Sequence, residues 1–122
     1  MKGEYKKVLY DIFDVLELPE EDRSHALESV KKKFANDFLV SMQGDLPHAQ
    51  QKWLEQNIKT ASANDPKVIE IQDTIQNMHS LDELRIMSHK VFKEILENYV
   101  DFMSKSLSNE KQSQLNDIVD KL

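Results

Sequence analysis

The chain has 122 residues and a formal net charge of −6, from 22 acidic against 16 basic side chains. It contains no cysteine, which excludes disulfides, thiolate metal sites and cysteine nucleophiles. Arg23 and Arg85 are the only arginines, and an acidic chain without clustered guanidinium forks is poorly suited to a phosphate backbone, so no nucleic-acid partner is expected.

Two glycines and three prolines leave few helix breakers, and this length suits one α-helical domain over residues 1–122. The first predicted helix runs from about Glu4 to Glu17, with Tyr5, Leu9, Ile12, Phe13 and Leu16 on one face at three-to-four spacing. Leu18-Pro19 stops it, because proline disfavours a helical residue before it yet suits the first turn of a new helix. The second helix is predicted from about Pro19 to Gln43, with a stripe of Leu27, Val30, Phe34, Phe38 and Met42 and a stop at Gly44. Lys31-Lys32-Lys33 reads as a solvated face, partly neutralised by Glu28 four residues before Lys32.

A third helix is expected from Asp45 or Leu46 to between Thr60 and Ala63, with Trp53, Leu54, Ile58 and Ala61 as a narrow apolar edge. So little apolar surface makes it the weakest of the set, and the most mobile or the most partner-dependent. Asn64-Asp65-Pro66 restarts the chain as a cap followed by a first-turn proline, and a fourth helix follows to Met78 with Val68, Ile71, Ile75 and Met78 as its seam.

Ser80 followed by Glu83 is a capping-box pattern, and behind it a fifth helix is predicted to Leu107. Leu84, Met87, Val91, Phe92, Ile95, Leu96, Tyr99, Phe102 and Met103 cover roughly half of its surface at about 100° per residue. A face that wide needs several partners, so this segment is expected to be the long central helix of the bundle. Ser108 caps a sixth helix with Leu115, Ile118, Val119 and Leu122 on its stripe. No segment alternates long enough to be a strand, and the expected fold is an all-α, single-domain bundle of five or six helices.

Met1-Lys2-Gly3-Glu4-Tyr5 lacks the apolar region of a signal peptide, and no apolar run approaches the ~20 residues of a membrane span. A cytoplasmic chain with no membrane partner is expected.

The chemistry-bearing candidates are His25, His48, His79 and His89. Asp22-x-x-His25 and Asp45-x-x-His48 match the spacing of carboxylate–histidine pairs in helical di-metal sites, but they use Asp and sit in first turns rather than mid-helix. They read as exposed residues near helix starts, with no metal expected and a metal site kept only as an alternative. His89 falls at the edge of the wide apolar arc and reads as a half-buried structural histidine; no serine or acid is spaced to form a triad with it. Glycine-rich phosphate loops are absent, since Gly3 and Gly44 are the only glycines. No cofactor and no catalytic residue are expected.

More informative are the aliphatic residues outside their stripes, Val40, Ile69 and Ile86, with Val100 at the margin. Gathered with the Trp53 edge on one surface, they would form an interface. The sequence thus points to a non-enzymatic protein-interaction module, self-associating or binding another protein through Val40, Trp53, Ile69 and Ile86. A second reading is an acidic stoichiometric inhibitor, like an immunity or antitoxin protein, acting on a basic partner.

Overall fold

The computed structural model describes residues 3–122, and within them the chain is all-helical. Six α-helices follow one another: α1 (Gly3–Leu16), α2 (Glu20–Met42), α3 (His48–Asn57), α4 (Pro66–Met78), α5 (Leu81–Ser104) and α6 (Asn109–Asp120), with a 3-10 turn at Gln43–Asp45 before α3. The helices fall into two compact units. A terminal unit joins the chain up to Phe34 with Phe92–Leu122, and a middle unit spans Ala35–Val91. The long helices α2 and α5 each contribute residues to both.

The terminal unit is built on aromatic rings. Tyr5 of α1 stacks on Phe92 of α5 with centroids 4.1 Å apart, and Phe34 of α2 meets both, 6.1 Å from Tyr5 and 6.4 Å from Phe92. Leu9, Ile12 and Phe13 of α1, Leu96 of α5 and Leu115 of α6 are buried with them. The α1 C-terminus closes in a Schellman pattern: Leu18 N–H donates to Phe13 O at 3.1 Å and Glu17 N–H to Asp14 O at 3.2 Å. Glu17 holds the left-handed conformation there (φ 57°), where glycine is the usual occupant. Arg23 fastens the corner, its Nε donating to Leu18 O at 2.7 Å and its guanidinium pairing with Asp14 at 2.6 Å.

The middle unit is aliphatic. Leu39, Met42, Leu46, Leu54, Val68, Ile71 and Ile75 form its buried cluster, with Phe38, Trp53, Ile58, Ala61, Leu84 and Met87 packed against it half-buried. Asp65 caps α4 by accepting from Lys67 N–H at 2.9 Å, and Pro66 takes the first turn. At the head of α5 the Glu83 N–H donates to Ser80 Oγ at 3.1 Å while the Ser80 hydroxyl donates to the Glu83 carboxylate at 3.3 Å.

Several expectations need correcting. The helix predicted to start at Asp45 or Leu46 begins at His48, because Asp45 closes the 3-10 turn and Pro47 is extended as the cap residue. Leu39, outside the predicted stripe, is buried, because it lies three residues before Met42 on the side of α2 that the middle cluster covers. Val100, at the margin of the predicted stripe, is only 2% exposed, because α6 covers that side of α5 with Val119 and Asn116. Phe102, placed on the buried arc, is 71% exposed, and Met78 is also exposed at the end of its seam. His89 is exposed too, about 200° around α5 from both Met87 and Val91.

Candidate interaction surface

Among the described residues no helix is long and apolar enough to cross a membrane. Of the four residues expected to form an interface, Trp53 packs half-buried against the middle cluster, with Leu54, Ile58 and Ala61 beside it. Val40 (50% exposed), Ile69 (46%) and Ile86 (69%) do lie in solvent. They stand on three different helices of the middle unit, α2, α4 and α5 respectively.

A contiguous apolar surface lies elsewhere, in the terminal unit. A groove of about 390 Å³ runs between α2 and α5. From α2 it takes Ala26, Ser29, Val30 and Lys33; from α5, Ile95, Asn98, Tyr99 and Phe102. Both sets follow the i, i+3, i+4, i+7 rhythm of one helix ridge, so the groove is the furrow between two helices. Val30 and Ile95 form its buried floor and Phe102 its exposed rim. Burial raises the pKa of the Tyr99 hydroxyl above its ordinary value. Sequence periodicity found Tyr99 and Phe102 but assigned them to the core. It reports which side of a helix is apolar, not how far neighbours reach across it.

A second hollow of about 230 Å³ between α5 and α6 is lined by Glu97, Asp101, Asn116 and Asp120, with Val100 and Val119 below. It contains no basic residue.

The histidines are distributed differently from the sequence expectation. Asp22 and His25 are exposed, and Asp45 and His48 are separated by Pro47, with His48 in solvent. Asp45 instead approaches His79, the residue after α4, whose side chain is mostly buried. His79 Nε2 lies 3.5 Å from Asp45 Oδ2, and Nδ1 lies 2.9 Å from Glu83 Oε2. A carboxylate only accepts, so the Nδ1–H donates to Glu83; this bond, helped by the Ser80 hydroxyl, holds the Glu83 carboxyl below the ordinary range against a smaller opposing effect of burial. Nε2 is buried without a hydrogen-bond partner among the described residues. The trio ties the turn before α3 to the α4–α5 junction. Among the described residues no three His, Asp or Glu side chains are arranged to hold a metal ion, so the Asp-x-x-His alternative gains no support from this geometry.

No family model matches the chain, and neither a curated protein nor a solved structure does.

Proposed function

We propose that the chain is a non-enzymatic protein-interaction module that docks through the α2–α5 groove. One observation carries this reading: Phe102, 71% exposed, stands at the rim of a contiguous apolar furrow. Single exposed aliphatics such as Val40, Ile69 and Ile86 are ordinary surface features, whereas a furrow walled by two helix ridges fits an apolar helix face laid into it. The expected benefit is burial of the ring and the groove walls at about 25 cal/mol per Å² of apolar surface, offset by the loss of free motion on association. A cysteine-free chain is well suited to the reducing cytoplasm, where we place its action. The acidic-inhibitor alternative is favoured only by the hollow holding Glu97, Asp101 and Asp120.

A photo-crosslinking amino acid placed at position 102, and separately at 86, tests the reading in native lysate. Protein adducts at 102 but not at 86 support docking at the groove. Adducts at 86 alone, or at neither, contradict it.

A further inference from the structure

We infer that the groove receives a second copy of this chain, docked about a two-fold axis running along the groove so that α2 of each copy lies on α5 of the other. The inference rests on reading the groove as a docking surface and names its occupant.

The direction of the two helices comes first. Phe34 stands beside Phe92 with centroids 6.4 Å apart, and from there the groove runs back along α2 to Ala26 and forward along α5 to Phe102. Within the terminal unit α2 and α5 are therefore antiparallel, with Ala26 level with Phe102 and Lys33 level with Ile95.

The two ridges are opposites in size. α2 presents small side chains, Ala26 and Ser29, at the end of the groove where α5 presents the Phe102 ring. Rotation by 180° about an axis along the groove keeps each residue at its level and exchanges the two ridges. Phe102 of one copy then meets the partner's Ala26 and the partner's Ser29, and the same contact forms a second time by symmetry. An axis across the groove would instead set like ridge on like ridge with the ends exchanged, bringing Phe102 to the partner's Ile95 and Ala26 to the partner's Lys33, so that the ring no longer meets the small residues.

The flanks of the two ridges carry one complementary pair of charges. Lys32 is exposed on the outer flank of α2, one position before the groove-lining Lys33. Glu94 is exposed on the outer flank of α5, one position before Ile95. The axis that places Phe102 on the partner's Ala26 also places Lys32 beside the partner's Glu94, twice per dimer. Size and charge thus select the same arrangement.

Sedimentation equilibrium on the intact chain over a wide concentration range tests the arrangement. The expected result is a reversible monomer–dimer equilibrium that Phe102→Asp weakens at least about 30-fold, with helicity by circular dichroism unchanged. Lys32→Glu and Glu94→Lys should each weaken it about two- to fivefold, and the double exchange should return the affinity toward wild type. A monomer at every concentration, a dimer indifferent to Phe102→Asp, or a double exchange no better than the single ones overturns the self-docked arrangement. If the chain is monomeric while position 102 crosslinks a different protein, self-docking fails and the docking-surface reading stands. If position 102 crosslinks nothing, both fail.

Discussion

The two units solve the same packing problem with different materials. The terminal unit centres on Tyr5, Phe34 and Phe92, three rings within 6.4 Å of one another, and its helices pack by filling space with large rigid groups. The middle unit buries aliphatic residues only, and its ten-residue α3 contributes one fully buried side chain, Leu54. A helix of that length is marginal alone. Polar side chains help fix it instead: Gln51 Nε2 donates to Leu46 O at 2.8 Å and Gln50 Nε2 to Thr74 Oγ1 at 3.0 Å. Where apolar area is scarce, directional bonds set the position of a helix. Where it is abundant, apolar surface such as the Phe102 ring is left exposed.

Truncating the centre of each unit gives the sharpest contrast. Phe92→Ala should cost about 3–5 kcal/mol, removing the ring on which Tyr5 and Phe34 converge, and Leu54→Ala about 2–5 kcal/mol. Urea unfolding measures both. Native-state hydrogen exchange separates them, because Leu54→Ala should strip protection from α3 while Phe92→Ala strips it from α1. Equal loss in both helices for either variant would erase the distinction. Next in size is the α4 cap: Asp65→Ala should cost about 1 kcal/mol by leaving the Lys67 N–H without its acceptor.

Much of this was legible in the sequence. Ser80, Asp65 and Ser108 cap α5, α4 and α6 as their spacing indicated, because a cap is a contact within four residues. The wide face of α5 was equally legible through Phe92, Ile95 and Leu96. What stayed hidden depends on residues far apart in the chain. His79 lies one residue beyond α4 and meets Asp45, 34 positions earlier, in a contact that no helical spacing encodes. The groove escaped for the same reason: Phe102 obeys the apolar rhythm of α5, and only the reach of α2 decides that it remains in water.

Two smaller effects sharpen the comparison further. Glu17→Gly should stabilise the terminal unit by about 0.5–1 kcal/mol, since glycine adopts the left-handed conformation without the Cβ penalty. The lost pairing with Lys111, 3.2 Å away on an exposed carboxylate, subtracts little. An unchanged or lower melting temperature would show that the Glu17 conformation carries no strain. In the middle unit, Glu83 contributes through a lowered pKa. That contribution is fully present above the ordinary glutamate value of about 4.3 and is lost as pH falls through the lower folded value. Glu83→Gln should therefore melt slightly earlier than wild type at neutral pH, and the deficit should shrink on acidification below about pH 4. A deficit independent of pH would separate Glu83 from the His79 contact.

The groove's role is tested most directly by isotope-filtered NMR on an equimolar mixture of labelled and unlabelled chains. Self-docking predicts intermolecular nuclear Overhauser effects from the Phe102 ring to the Ala26 methyl of the other copy. Their absence at concentrations where sedimentation reports dimers, or contacts from Phe102 to Phe102 instead, would contradict it.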